Sequence, residues 1–333
     1  MKMFGKSEKS KVLYITKDVH SYKQGNYYAD WLEIFQKNNR VTILDNFKDD
    51  IDLSKYNLIV FGHSFIDLVI SNLTLFNKRY FNKIEFMVLR ELEYFLNKNK
   101  VLNNIKNSDI KKVYFSKNDY KRFNVKTLLS NFLNIDLFIS HTKSSLNIFK
   151  DYEINSELLW MPFSISKEKY FKSKEKKYDI GMRANNNKIY NNGERELLFK
   201  QVRYFSKDRY NVDLHLSQNG ECFLHGQKYI DWISECQLLV NSVSAYGTVG
   251  PKFLEGIACG TISIAVEDEY EGLLVADKHY LSIKKDFSNL EEKVSKFFND
   301  NSFKEELLRN AKLLLDEHSI ENQHKKLIQD ILK

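Results

Sequence analysis

The sequence predicts an α/β protein of two doubly wound, parallel-sheet units. Short apolar runs such as KVLYITK at 11–17 and ISIAV at 262–266 alternate with segments of helical apolar spacing. Parallel strands buried on both faces read as such continuous runs, and their alternation with helices favours a parallel sheet. The alternation starts afresh after SISKEKYFKSKEKK at 164–177, a charged stretch short of large aliphatics, as expected of an exposed linker. A chain of 333 residues also exceeds the usual single core, so the size favours two domains.

In chain order, strands are expected at 11–17, 41–44, 55–61, 113–115, 135–140 and 158–163. A helix starting near Tyr27 carries Tyr28, Trp31, Leu32 and Phe35 at helical spacing, and helical segments follow 61 through about 100. The second half repeats the opening: a strand at 178–182, a polar loop, a helix at 194–205, then strands at 212–216, 238–243 and 262–266. Three helical patterns close the chain. Ligands of open parallel sheets sit outside the carboxyl ends of strands, so the Gly25 loop, His63 and Asp119 are expected to converge on one crevice.

The most informative stretch is VNSVSAYGTVGPKFLEGIACGTISIAVE at 240–267. Between its two strands lies a loop with Gly247 and Gly250, then a short helix opened by Pro251, a residue suited to a first helical position. At about 100° per residue, Phe253, Leu254, Ile257 and Ala258 share one side, and Lys252, Glu255, Gly256 and Cys259 the other. A glycine loop feeding a helix N-terminus favours an anion, and with one cation and one carboxylate it suits a nucleoside diphosphate. The competing reading is an ordinary amphipathic helix with a solvated Lys–Glu pair.

The formal net charge of +7 permits contact with nucleic acid, an anionic membrane surface or an anionic donor, and requires none of them. The N-terminal MKMFGKSEKSK lacks the apolar stretch of a signal peptide and no run approaches a membrane span, so a cytoplasmic location is expected. Cys222, Cys236 and Cys259 have no metal or redox spacing and read as reduced structural thiols.

From residue 178 onward the order of motifs resembles the group 1, or family-4-like, glycosyltransferases of GT-B fold, in the branch related to spore-maturation transferases. The resemblance lies in YDIGMR, GERELLF, the run YIDWISECQLLVNSVSAYGTVGPKFLEGIACGTISIA, and DKHYLSI before the terminal helices. The first half is similar more loosely, through its strand order, KVYFSKND and LLWMPFSIS. The resemblance implies two Rossmann-like domains facing across a cleft, with C-terminal helices. Residues 1–165 would bind the acceptor, 166–177 link, 178–318 bind the nucleotide-sugar donor, and 319–333 form a terminal helix packing back on the first domain.

By the same resemblance, Glu255 would bind ribose hydroxyls, and Lys252 would face the diphosphate as a point charge where the family usually has Arg. Arg183 and Lys188 would add cations. The family's Glu-x7-Glu is incomplete here, because Gly247 stands eight residues before Glu255. Tyr246, Gly247, Thr248 and Gly250, with Ser244, replace the usual sugar-contacting loop through hydroxyls and main-chain N–H groups. The implied reaction needs no metal and no cofactor beyond the donor, and retains configuration; Asp49-Asp50-Ile51-Asp52 reads as a surface turn. Asp119, then His63, would orient or deprotonate the acceptor hydroxyl; the competing roles are a helix cap and a structural histidine. The expected acceptor is a glycan or lipid-linked glycan, made in polysaccharide biosynthesis with peripheral contact at the anionic inner membrane face. Modified DNA is the runner-up acceptor, and a catalytically silent nucleotide-sugar binder a third reading.

Overall fold

The computed structural model describes residues 9–17, 27–48, 50–73, 85–119, 121–170, 175–186, 194–217, 221, 223–241 and 249–331. The chain divides into two units, one of Met1–Tyr22, Trp31–Met161 and Asp330–Lys333, the other of Lys23–Asp30 and Pro162–Gln329. Gly25, Lys188, Ser244, Tyr246, Gly247 and Thr248, together with Cys222, lie outside the described residues.

In the first unit, strands β1 (Lys11–Ile15), β2 (Arg40–Leu44), β3 (Leu58–Phe61), β4 (Lys111–Phe115), β5 (Leu137–Ser140) and β6 (Glu157–Trp160) form one parallel sheet in the order β2-β1-β3-β4-β5-β6. The connections include helices α1 (Tyr27–Asn38), α2 (Phe65–Ser71), α3 (Glu85–Lys98), α4 (Lys100–Lys106), α5 (Phe123–Leu133) and α6 (Lys143–Asp151). The runs LIVF and LFIS are wholly buried, as two-sided coverage requires. Their aromatic side chains interlock, with Phe61 4.6 Å from Phe65 and Tyr114 5.1 Å from Phe138 between ring centroids.

In the second unit, β7 (Tyr178–Asn185), β8 (Val212–Ser217), β9 (Cys236–Val240), β10 (Ile262–Val266) and β11 (Leu281–Ile283) are parallel in the order β11-β10-β9-β7-β8. Helices α7 (Glu194–Ser206), α8 (Gln227–Glu235) and α9 (Pro251–Ala258) connect them, and α10 (Leu290–Asn299), α11 (Asn301–Glu317) and α12 (Ile320–Ile331) follow. The chain moves outward from β7 to β8, then returns to the other side of β7 for β9. That reversal lies between β7 and β9, and it is where open α/β sheets leave a ligand crevice.

Two local features differ from the expected pattern. In the stretch at 164–177 the described residues 164–170 are not an exposed linker: Lys167–Lys169 form a 3-10 turn and Tyr170 is 5% exposed within the second unit. Its lysine-rich composition conceals one anchoring aromatic. Nearby, Lys176 donates from Nζ to Ser234 O at 2.8 Å, Cys259 O at 3.1 Å and Thr261 Oγ1 at 2.9 Å, placing its ammonium at the carbonyl ends of α8 and α9.

The second difference concerns α9, which has no solvated side over Glu255 and Gly256; residues 253–257 and Cys259 are all buried. Gly256 makes this possible. A Cβ there would lie 3.2 Å from both Leu239 Cδ1 and Thr261 O, so the glycine lets the helix approach β9 closely.

Candidate functional site

At the β7/β9 reversal the second unit holds a cavity of about 450 Å³. Met182, Arg183, Ala184 and Asn185 reach it from the end of β7, Val240 and Asn241 from the end of β9, and Gly250, Lys252 and Phe253 from the start of α9. Phe223, Leu224, His225 and Tyr229 close a further wall, and Arg195 enters from α7. Among these described lining residues are three cations, Arg183, Arg195 and Lys252, and no carboxylate. Gly250 caps α9, and a Cβ there would meet nothing within 4 Å. The start of α9, the positive end of its dipole, therefore lies at the cavity beside these cations.

Arg183 is fixed by Asp213 on β8. Its Nε and Nη2 donate to Asp213 Oδ2 at 3.0 and 2.7 Å, Trp232 Nε1 donates to the same oxygen at 2.7 Å, and His215 Nε2 lies 2.9 Å from Oδ1. Burial raises the Asp213 pKa, but the hydrogen bonds from Arg183 and His215 outweigh it and hold the carboxyl below its ordinary 3.8. The indole of Trp232 lies 5.4 Å from Arg183 Cζ and 5.7 Å from Lys252 Nζ, so one ring serves both cations. Lys252 Nζ also donates to Arg183 O at 3.3 Å, and Arg195 Nη1 to Asn185 O at 2.5 Å.

Glu255 is 5% exposed and does not line the cavity. Tyr229 Oη donates to its Oε2 at 2.6 Å and Tyr170 Oη to its Oε1 at 3.0 Å. Burial raises the Glu255 pKa; the two phenolic hydrogen bonds and Lys252 oppose the rise. The solvated Lys–Glu pair is thus replaced by a buried carboxylate held by two tyrosines.

Asp119 and His63 belong to the first unit, where they meet through His141. Asp119 Oδ2 accepts from His141 N at 2.6 Å and Ser140 Oγ at 2.9 Å, and Lys126 Nζ is 4.0 Å from its Oδ1. His141 Nδ1 is 2.7 Å from Met161 O, which can only accept, so that nitrogen carries the proton. His63 Nε2 then donates to His141 Nε2 across 2.7 Å. The rings are 17° from coplanar with centroids 5.0 Å apart, as an in-plane N–H···N bond requires and face stacking does not. Both rings are buried, which depresses their pKa and keeps them neutral.

The structure therefore gathers Arg183, Gly250 and Lys252 in one cavity, with Glu255 behind its wall. Sequence reasoning missed Asp213, Tyr229, Trp232, Tyr170 and His141. The spacing of Tyr229 and Trp232, one helical turn apart in YIDW, was the available signal for a shared face. Among the described residues no group of three or more His, Cys, Asp or Glu is placed to hold a metal ion, and no helix is long and apolar enough to cross a membrane.

The two parallel sheets and their helices form the GT-B fold, and residues 190–329 match the glycosyl transferase-like family model. The family likeness thus lies in the second half of the chain. No curated protein matches the sequence. Among solved structures, an α-glucosyltransferase in complex with UDP and a 13-mer DNA containing a HMU base is similar at TM-score 0.56 and 10% identity, over 98% of this chain and 100% of that one. Sucrose-phosphate synthase from Thermosynechococcus elongatus gives 0.55 at 10%, over 97% and 99%. HepE of Anabaena in complex with UDP gives 0.54 at 11%, over 96% and 100%.

Proposed function

We propose that this chain is a glycosyltransferase that draws a sugar from a nucleoside diphosphate donor bound in the cavity between β7, β9 and α9. The observation that carries this reading is a cation-lined cavity, without a carboxylate among its described lining residues, at the strand-order reversal of a parallel sheet. As the bond between the anomeric carbon and the β-phosphate oxygen breaks, the electron pair stays on the phosphate. Arg183, Arg195 and Lys252, with the N–H groups at the start of α9, stabilise that charge in place, so the chemistry is assigned to side chains without a metal. The acceptor oxygen bonds the anomeric carbon and loses its proton. Retention of configuration, like membership of the spore-maturation branch, rests on the sequence resemblance alone.

On the acceptor side, Asp119 is assigned a positioning role, since its carboxylate fixes the His141 main chain and through that ring aligns His63. His63 is the proposed proton acceptor. The proposed acceptor is a glycan or lipid-linked hydroxyl. DNA is a second reading, supported by the net charge of +7 and by the DNA present with one similar fold. Salt-dependent binding to duplex DNA, compared with binding to anionic vesicles, separates the two.

Calorimetric titration with UDP, GDP and ADP tests the donor site. One of them is expected to bind, and Arg183→Ala to weaken it by about tenfold to a hundredfold, the loss of a charge-assisted contact. Failure of all three to bind overturns the proposal, and hydrolysis of the matching nucleotide sugar separates an enzyme from a silent binder.

A further inference from the structure

We infer that Trp232 is the positioning residue that makes the cavity prefer a diphosphate to a single phosphate, by holding Arg183 and Lys252 against one buried ring. The inference rests on the donor reading above and goes beyond it by assigning the choice of phosphate number to a side chain outside the cavity lining.

Trp232 is 4% exposed and does not line the cavity, whereas Arg183 and Lys252 do. The two cations come from separate elements, the end of β7 and the first turn of α9, 69 residues apart in the chain. Like charges brought into one cavity repel, and each long side chain has rotamers that lead its charge away into water. The indole opposes both tendencies, with its ring centre 5.4 Å from Arg183 Cζ and 5.7 Å from Lys252 Nζ. A carboxylate in that place would cancel charge. The quadrupole of a ring attracts a cation and leaves the whole charge to act on an anion in the cavity. The ring is itself held on two sides. Its Nε1 donates to Asp213 Oδ2 at 2.7 Å, the oxygen that also accepts from Arg183 Nε and Nη2. Its Cζ2 packs over Gly181, where a Cβ would lie 3.0 Å away. Asp213 thus fixes Arg183 and the ring together, and the ring carries that order across to Lys252, whose Nζ lies 3.3 Å from Arg183 O. A single phosphate gains closely from one cation. Two phosphates joined by a bridging oxygen gain from both, and they gain most when both are already in place.

The test titrates the full chain with UDP, GDP and ADP and with UMP, GMP and AMP, and reads the ratio of monophosphate to diphosphate dissociation constants for whichever base binds. Wild type is expected to favour the diphosphate by about tenfold to a hundredfold, the worth of a charge-assisted contact. Trp232→Leu should lower that ratio by about fivefold to tenfold, the worth of two cation–π contacts. Trp232→Phe keeps an aromatic face without the N–H and should fall between wild type and Trp232→Leu. Added to Arg183→Ala with Lys252→Ala, Trp232→Leu should change the ratio no further, because it acts through those two cations. A merely structural ring would weaken both nucleotides alike and leave the ratio unmoved. Thermal unfolding of each variant reports folding, and if Trp232→Leu does not fold, Gly181→Ala, which displaces the ring, must lower the same ratio. An unchanged ratio in the folded variant overturns the inference and leaves the donor site standing, as does a wild type that binds both phosphates equally. If wild type binds none of the diphosphates, the donor reading falls and the inference with it.

Discussion

Lys126 sits on α5 with its ammonium 1% exposed, donating to Asn118 O at 2.8 Å and lying 4.0 Å from Asp119 Oδ1. Burial pulls its pKa from 10.5 to about 8, against the raising effect of Asp119. Below pH 8 the lysine is charged in both the folded and unfolded chain, so the folded state bears the whole penalty. Between about pH 8 and 10.5 the unfolded lysine still holds a proton that the folded one has released; the unfolded state binds more protons there, and stability rises with pH. At about 1.4 kcal/mol per pH unit the rise amounts to about 3 kcal/mol. Other groups titrate in this window, the buried tyrosines with the opposite sign, so the reading is the difference between wild type and Lys126→Met. Urea unfolding at intervals from pH 7 to 10.5 is expected to show wild type gaining about 3 kcal/mol relative to the variant. Loss of the ammonium beside Asp119 shifts the variant by an amount that does not change with pH across this range, so only the slope is diagnostic. Parallel profiles would refute the reasoning, because they would mean that Lys126 is uncharged or hydrated in the folded chain at pH 7.

Three further outcomes follow from the same geometry. A Cβ on Gly181 would lie 2.5 Å from Cys236 Sγ and 3.0 Å from Trp232 Cζ2. Gly181→Ala should therefore lower stability by about 1–3 kcal/mol in thermal unfolding and, by moving the ring beneath Arg183 and Lys252, weaken nucleotide binding several-fold. Asp213 stabilises the fold above its ordinary pKa of 3.8 and loses that contribution as the pH falls through its lower folded value. Asp213→Asn should thus flatten the acid end of the unfolding profile; an unchanged acid midpoint would show that the carboxylate adds nothing. Nitrogen-15 spectra at pH 6 should show one protonated nitrogen on each ring of the pair, Nε2 of His63 and Nδ1 of His141, and a doubly protonated ring would contradict the assigned hydrogen bonds.

Most of the fold was legible because strands buried on both faces announce themselves in one dimension. The run at 262–266 is β10 without adjustment, and the proline, glycine and apolar spacing around 251 place α9 within one residue. The polar anchoring was not legible. The partners Arg183 and Asp213, Tyr229 and Glu255, and Tyr170 and Glu255 are 30, 26 and 85 residues apart, beyond the reach of any helical or strand periodicity. Asp213 reads as an outward residue of a strand, Tyr170 disappears among lysines, and His141 follows the last apolar residue of β5 by two positions. The amphipathic reading of α9 failed for a related reason: a glycine on the expected polar side let that side approach the sheet, and two phenols replaced water around the carboxylate.

The location of the proposed donor cavity follows from topology before any side chain is considered. In the second unit β7 connects to β8 on one side and β9 lies on the other, a strand-order reversal of the kind beside which open α/β sheets bind ligands. What lines the cavity chemically is set by the residues at and just beyond the carboxyl ends of those strands. Arg183, Asn185 and Asn241 are all polar, and α9 is capped by Gly250, where a Cβ would meet nothing within 4 Å. The first unit has the same reversal between β1 and β3, and there the residue that follows Gly62 is His63. A Cβ at Gly62 would lie 2.5 Å from the Tyr14 ring, so this exit is tightly packed where the exit at Gly250 is open. The two reversals are alike in topology and differ in content: one opens a cation-lined cavity, and the other buries a neutral histidine pair. The proposed roles divide in the same way, with a donor anion held by charge on one unit and a proton handled by imidazole on the other.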